Sequence, residues 1–166
     1  MKILRIPVSS LVALAFVLGA SSAFCCSCPR SSYEQLVGNA EYVFVARMTA
    51  ARLDDEAPAQ EQGRVLVEFV PIDVLKGEPG ELDHLLGGLG GGDCGFPVVV
   101  GRTILVQTDH SGQLSICNGT RVAYVGFDPF DRYLESVRNH IDSGTPIEPM
   151  VWDKHGPASH ANAEYR

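Results

Sequence analysis

The sequence predicts a mainly β protein that forms a small barrel, with one helix before the strands and one after them. Two observations carry this prediction. Short runs rich in branched and aromatic residues recur along the chain, and turns containing glycine, proline or aspartate separate them. Helix signals, by contrast, are confined to two segments, 31–37 and 129–141, which flank the predicted strands.

The first predicted element is a short helix over 31–37. Ser31 or Ser32 is its expected N-cap, because a serine hydroxyl accepts a hydrogen bond from the free N–H groups of the first turn. Glu34 adds a negative charge to that turn, which suits the start of a helix. Gly38-Asn39 is expected to end the helix.

The predicted strands follow one another in hairpins. Segment 64–75 is the clearest, because its apolar residues alternate between two faces. The acidic segment 52–63 has no periodicity and is expected to be a hairpin loop, and turns are expected at 76–80 and 109–112. Strands are predicted over 41–50, 64–75, 81–86, 101–108 and 113–117. Strands of this size and number suit a small closed or partly open β-barrel of the OB type.

The second helix is predicted over 129–141, where apolar residues recur at helical spacing. Asp128 is its expected N-cap. Pro129 suits the first helical position, because the N–H that proline lacks would have no partner there. Gly144 is expected to close the helix, since glycine readily adopts the left-handed conformation found at helix ends.

Residues 1–25 are typical of a secretory signal peptide, so the mature protein is expected to be secreted or periplasmic. Lys2 and Arg5 form a basic start, 11–18 is an apolar run, and 20–23 are small residues that signal peptidases accept. The apolar run is too short to span a bilayer, and no later segment is long and apolar enough to do so.

The cleavage site decides which residue begins the mature chain. Cleavage after Ala23 gives the better pattern of small residues, whereas cleavage after Cys25 gives a chain that begins at Cys26. Five cysteines are an odd count for an oxidising compartment, and removing Cys25 leaves four, enough for two disulfides. We therefore expect 1–25 to be removed. A lipid-anchored form is disfavoured, because Phe24 is not the small residue that should precede an acylated Cys25.

Composition and charge exclude several classes of function. The formal net charge of −7 argues against nucleic acid and anionic membranes as partners. No Ser/His/Asp set or pair of carboxylates can be assembled, so an enzyme is not expected. The glycine run 87–92 lacks the Lys-Ser/Thr of a phosphate-binding loop, and the histidines are scattered, so no cofactor is predicted. Asn118-Gly119-Thr120 fits an N-glycosylation sequon, and the protein is expected to be monomeric.

A Cys-x-Cys stands at the predicted signal boundary, as Cys26-Ser27-Cys28, and further blocks follow it in order. They are 39–47, Val74-Leu75-Lys76-Gly77, Cys94-Gly95, 101–106 and Leu114-Ser115-Ile116-Cys117. Together these blocks resemble the N-terminal domain of the tissue inhibitors of metalloproteinases, within the wider netrin-like group. The resemblance predicts one domain over 26–144. Prolines and glycines interrupt 145–166, which is expected to be an extended or disordered tail.

The resemblance implies an OB-fold barrel, the disulfides Cys26–Cys94 and Cys28–Cys117, and inhibition of zinc metalloendopeptidases. Spacing alone cannot choose among the three connectivities of four cysteines. In such an inhibitor, the α-amine and carbonyl oxygen of Cys26 chelate the catalytic zinc of the target protease, whose metal keeps one position open. The amine must be neutral to donate its lone pair, so binding is expected to weaken on acidification.

The resemblance also implies an inhibitory ridge with two sides. Ser27 points into the specificity pocket beside the zinc, Cys28 and Pro29 extend the same side, and the residues before Cys94 form the other. The predicted inhibitory ridge comprises Cys26, Ser27, Cys28, Pro29, Gly91, Gly92 and Asp93.

The chain departs from the family pattern in three respects. The third disulfide and the cysteine-rich C-terminal subdomain are absent, and Pro29 directly follows Cys28, where familiar members place proline one residue later. The main alternative is a non-inhibitory netrin-like module that binds another protein in the extracellular space or periplasm. A structural envelope protein, in which the cysteines only staple a barrel, is a third. A redox motif is disfavoured, because thiol oxidoreductases prefer Cys-x-x-Cys.

Overall fold

The computed structural model describes residues 27–57, 63–90 and 94–150. This part of the chain contains two α-helices, five strands and one turn of 3-10 helix at Pro79–Glu81, so the predicted mainly β architecture with two α-helices is confirmed. The elements are α1 (Tyr33–Asn39), β1 (Tyr42–Leu53), β2 (Val65–Lys76), β3 (Leu85–Gly87), β4 (Thr103–Thr108), β5 (Arg121–Val122) and α2 (Asp128–Ser143). Neither helix is long and apolar enough to cross a membrane. The predicted signal peptide, 1–25, lies outside the described residues.

The five strands form a single sheet in the order β3-β2-β1-β4-β5, and all four neighbouring pairs are antiparallel. The longest pairing joins β1 to β2, and three register shifts interrupt it. Such bulges bend a strand and increase its twist, which lets the long hairpin curve around apolar side chains. The sheet is open, with β3 and β5 at its edges.

Isolated hydrogen bonds connect the β3 edge to the chain that follows β4. The N–H of Leu86 donates to the carbonyl oxygen of Gly112 at 2.9 Å, and the N–H of Leu114 donates to the carbonyl oxygen of Leu86 at 2.7 Å. Gly112 has a φ of +70°, and a β-carbon there would lie 2.8 Å from the carbonyl oxygen of His84. Glycine is therefore required where this segment, residues 112–116, approaches β3.

Apolar side chains pack on both faces of the sheet, because successive residues of a strand point to opposite sides. On one face, Val43, Val45 and Leu105 pack beneath the two helices. On the other face, Phe44 and Ile104 lie in a second cluster with residues of β2 and β3. Strands β1 and β4 therefore contribute to two cores, which explains why their central residues are almost fully buried.

Lys76, the last residue of β2, connects the sheet to the end of α1, and Gly77 follows it. The Lys76 ammonium donates to the carbonyl oxygens of Val37 at 3.0 Å, Gly38 at 3.2 Å and Ala40 at 2.5 Å. Carbonyls in the last turn of a helix lack partners within the helix, and a lysine satisfies them. Gly77 has a φ of +75°, which suits glycine at this turn.

The helix ends match the sequence predictions in part. Ser32 caps α1, and Gln35 completes a capping box with it. Gly144 closes α2 in the left-handed conformation, as predicted. The prediction that Asp128 is the N-cap of α2 is wrong, because the helix begins at Asp128. Asp131 instead accepts a hydrogen bond from the backbone N–H of Gly126, just before the helix.

The segment after α2 packs against both helices. The N–H of Ile147 donates to the Glu34 carboxylate at 3.0 Å, and the N–H of Glu148 donates to the Ser136 hydroxyl at 3.2 Å. The side chains of Ile147 and Met150 are buried in the core beneath the helices. Residues 145–150 form neither helix nor strand, and the rest of the predicted tail, 151–166, lies outside the described residues.

Candidate functional site

The described part of the predicted inhibitory ridge begins with residues 27–29, which are exposed, like residue 30, and form neither helix nor strand. Cys28 is bonded to Cys117, with their Cα atoms 5.1 Å apart, which is the pairing that the resemblance implies. The two cysteines are 89 residues apart in sequence. The disulfide therefore holds the N-terminal segment against a distant part of the fold, although the segment itself contributes nothing to the sheet.

Cys94 stands at the other side of the predicted ridge. Its backbone has a φ of +57°, a left-handed conformation that is uncommon for residues other than glycine. Its carbonyl oxygen accepts hydrogen bonds from the N–H of Ile116 at 3.2 Å and from the hydroxyl of Ser115 at 3.1 Å. Two residues further on, the N–H of Phe96 donates to the carbonyl oxygen of Leu114 at 3.0 Å.

Cys94 is itself disulfide-bonded. Its predicted partner, Cys26, lies outside the described residues, as do Gly91, Gly92 and Asp93 of the predicted ridge. The structure therefore describes three ridge residues, Ser27, Cys28 and Pro29, together with Cys94 next to the second side.

Cys28 and Cys94 are both bonded to one short segment, residues 115–117. Cys117 is bonded to Cys28, while Ser115 and Ile116 bind the carbonyl oxygen of Cys94. The Ser115 hydroxyl also accepts a hydrogen bond from the N–H of Cys117 at 3.1 Å. The Ser115 side chain thus contacts the backbones of both Cys94 and Cys117. The sequence placed Ser115 in a strand and predicted no role for its hydroxyl.

Side chains hold the loop around this segment, where the sequence predicted a strand over 113–117. Asn118 donates to the carbonyl oxygen of Gln113 at 2.9 Å and accepts from the N–H of Thr120 at 3.1 Å. Thr108 donates to the same Gln113 carbonyl at 3.0 Å. Polar side chains near the backbone compete with strand pairing in this way. The asparagine of the sequon is thus part of the support beneath the Cys28–Cys117 disulfide.

The hairpin turn before this segment is held by an aspartate. Asp109 accepts hydrogen bonds from both the hydroxyl and the backbone N–H of Ser111. These bonds, the one from the hydroxyl first, hold the pKa of Asp109 below its ordinary value. The carboxylate therefore stays ionised at neutral pH, and the turn predicted at 109–112 is confirmed.

A cleft of about 360 Å³ lies beside the disulfide, between the N-terminal segment, the end of α1 and the loop after β4. Most of its lining residues are polar, and they include Thr108, Gln113 and Asn118. Gln107 also lines it, and its side-chain Oε1 is buried without a hydrogen-bond partner among the described residues.

A cationic side chain joins the two helices to the sheet. The Arg121 guanidinium lies 5.2 Å from the ring centroid of Tyr33 and 5.0 Å from that of Tyr133. The two rings make an edge-to-face contact with their centroids 5.7 Å apart. Arginine above aromatic faces is a stabilising arrangement. No sequence pattern indicated it, because the three residues are far apart along the chain.

The described residues contain no group of three or more histidine, cysteine, aspartate or glutamate side chains that could hold a metal. His110 is exposed and lies 3.2 Å from the Glu41 carboxylate, and His140 contacts the backbone of Thr145. His155 and His160 lie outside the described residues.

No family model matches this sequence, and no curated protein matches it. The chemical interpretation of the site therefore depends on its own residues. The site consists of an exposed N-terminal segment held by a disulfide, together with a second cysteine in a left-handed backbone conformation.

Proposed function

We propose that the protein is an exported inhibitor of zinc metalloendopeptidases that uses the N-terminal residue of the mature chain as a metal ligand. Cleavage before Cys26 frees the α-amine of that residue. The amine and the carbonyl oxygen of Cys26 then occupy the open position of the protease's zinc, where a catalytic site normally holds water. The observation that best supports this proposal is the Cys28–Cys117 disulfide, which holds the exposed residues 27–30 in place beside Cys94.

The chelate follows from simple coordination chemistry. An amine nitrogen and the carbonyl oxygen of the same residue form a five-membered ring with a metal ion. The amine donates only when it is neutral, and the reference pKa of an α-amino group is about 7.7–8.0. Inhibition should therefore weaken by up to tenfold for each pH unit below that range, because the fraction of neutral amine falls in that proportion.

Restraint of the N-terminus is the second requirement. A free terminus normally samples many conformations, and ordering it on binding opposes association. In the proposed mature protein, the pairs Cys26–Cys94 and Cys28–Cys117 both restrain it, and Pro29 limits the backbone directly after the second cysteine. The side chain of Ser27, between the two cysteines, would enter the specificity pocket beside the zinc.

The second side of the ridge belongs to the same proposal. Gly91, Gly92 and Asp93 precede Cys94 in sequence and would contact the protease next to the N-terminal residues. We assign the chain to an OB-type, netrin-like domain on the same basis. The antiparallel sheet, the helix at each end and the bonds from β3 to residues 112–116 are consistent with that fold.

The Cys28–Cys117 disulfide also bears on where the protein works. Disulfides persist in secreted and periplasmic proteins and are rare in reducing compartments. Export through the signal peptide predicted at 1–25 would deliver the chain to such a compartment, where it would meet extracellular or periplasmic proteases.

The proposal is tested by extending the mature N-terminus with one alanine before Cys26. The extension moves the free amine away from the zinc, so inhibition of a zinc endopeptidase should fall by at least 100-fold. Thermal unfolding should be almost unchanged, since residues 27–30 lie outside the sheet and are exposed. Equal inhibition by both forms would refute chelation. Binding to proteins without inhibition, by either form, would favour the non-inhibitory netrin-like module.

A further inference from the structure

We propose that Ser115 is a positioning residue that sets the position of Cys94 relative to the disulfide-held residues 27–29 of the inhibitory ridge. This inference rests on the proposed function and adds a residue to it. The Ser115 hydroxyl donates to the carbonyl oxygen of Cys94 and accepts from the N–H of Cys117, both at 3.1 Å. It therefore connects the backbones of the two cysteines on which the two sides depend.

The hydroxyl connects parts of the chain that no sheet ladder joins. Cys94 and Ser115 are 21 residues apart. Their segments are joined by an isolated bridge between Gly95 and Ser115, which consists of the backbone bonds from Ile116 to Cys94 and from Phe96 to Leu114. Cys117 in turn holds Cys28 through the disulfide. A shift of residues 115–117 relative to Cys94 would therefore move Cys28, and the ridge residues next to it, relative to Cys94.

The Ser115 hydroxyl also helps to hold the backbone conformation of Cys94. A left-handed conformation at a residue other than glycine persists only where the surroundings hold it. The carbonyl oxygen of Cys94 is held by the Ser115 hydroxyl and by the N–H of Ile116 at 3.2 Å. Removing the hydroxyl leaves the bond from Ile116 to the Cys94 carbonyl in place. Cys94 should therefore become more mobile but stay bonded to the segment 115–117.

Loss of the hydroxyl should have little effect on overall stability. The Cys94 carbonyl and the Cys117 N–H lose a partner; Cys94 is exposed and Cys117 is half-buried, so water can replace the hydroxyl at both groups. Inhibition is more sensitive, because the looser ridge must be ordered again when it binds. We expect Ser115→Ala to inhibit about tenfold more weakly than the wild-type protein.

The experiment compares three variants of the mature protein against a zinc endopeptidase that the wild type inhibits. Ser115→Ala removes the hydroxyl, and Ser115→Thr restores one in the same place. Ser111→Ala is the matched control, because Ser111 lies four residues away and its hydroxyl bonds within its own turn. Hydrogen exchange is measured for the N–H of Cys117, which loses its acceptor in Ser115→Ala.

The expected result is weaker inhibition and faster exchange at Cys117 for Ser115→Ala, recovery in Ser115→Thr, and wild-type behaviour in Ser111→Ala. The pH dependence of inhibition should keep its shape in all three, since the amine is untouched. Wild-type inhibition by Ser115→Ala would overturn the positioning role and leave the proposed function standing. A loss that Ser115→Thr does not recover, accompanied by a lower melting temperature, would overturn it in favour of a purely structural role. Failure of the wild type to inhibit any zinc endopeptidase would overturn both proposals.

Discussion

Removal of the Cys28–Cys117 disulfide tests how the candidate site depends on the fold. Replacing both cysteines by serine frees residues 27–30 from the segment that carries Cys117. The bond joins residues 89 apart in sequence. With Cys94 bonded to Cys26 as proposed, the loop that this cross-link closes runs through that second bond and is about 25 residues long, so in the chain-entropy description it stabilises the native state by about 3.5 kcal/mol. The double variant should therefore unfold at a melting temperature roughly 12 °C lower, given about 3–4 °C per kcal/mol for a domain of this size.

The same variant should lose most of its inhibition at temperatures where it remains folded. The sheet, the helices and both cores do not depend on residues 27–30, because these residues form no helix or strand and are exposed. Circular dichroism should therefore show a folded protein at low temperature. Inhibition should still fall by 100-fold or more, since the N-terminal segment would be restrained on one side only.

The matched control is Cys25→Ser, because Cys25 is predicted to be removed with the signal peptide. Its replacement should change neither the melting temperature nor the inhibition. Thermal unfolding and inhibition of a zinc endopeptidase are the two assays. Retention of full inhibition by the double serine variant would refute the reasoning, since it would show that restraint of residues 27–30 is unnecessary. A melting temperature within about 3 °C of the wild type would refute the entropic argument separately.

Three further predictions concern the packing around the site. Glu34→Gln should speed hydrogen exchange at Ile147, whose N–H donates to that carboxylate. In the wild type, hydrogen bonds from Ser32 first, and from Ile147, lower the pKa of Glu34. The stability that this shift contributes to the fold is therefore present above the pKa of Glu34 in the unfolded chain, and it is lost as the pH falls through the pKa in the folded protein. Glu34→Gln should show no such pH-dependent transition by NMR. Lys76→Met should cost about 1–3 kcal/mol in urea unfolding, because three carbonyl oxygens at the end of α1 lose their donor. Arg121→Ala should cost about 1–2 kcal/mol in the same assay, since two aromatic rings lose a cation, and an unchanged midpoint would contradict the assigned contact.

The regular elements could be predicted from the sequence because their signals are local. The alternating pattern over 64–75 corresponds to β2, and the glycine at 144 closes α2 as expected. Strand β5 was missed, because a strand of two residues has no period to detect. The strand predicted over 113–117 is instead a segment held by isolated bridges and side-chain bonds. Those bonds depend on which side chains meet in space.

The candidate site, like the fold, could be predicted from the sequence only in part. The Cys-x-Cys at the predicted signal boundary was visible in the sequence, and the resemblance supplied the pairing of Cys28 with Cys117 that the structure contains. The role of Ser115 could not be foreseen, since its partner Cys94 is 21 residues away and serine is common in loops. The contact of Arg121 with two tyrosines likewise requires the packed helices.

The central claim concerns the peptide bond between Cys25 and Cys26, because chelation requires a free amine on Cys26. The most direct measurement is N-terminal sequencing of the exported protein, combined with its intact mass. The account predicts a chain that begins at Cys26 and carries two disulfides. A chain that begins at Phe24 would contradict it, because the free amine would then stand two residues before the proposed ligand.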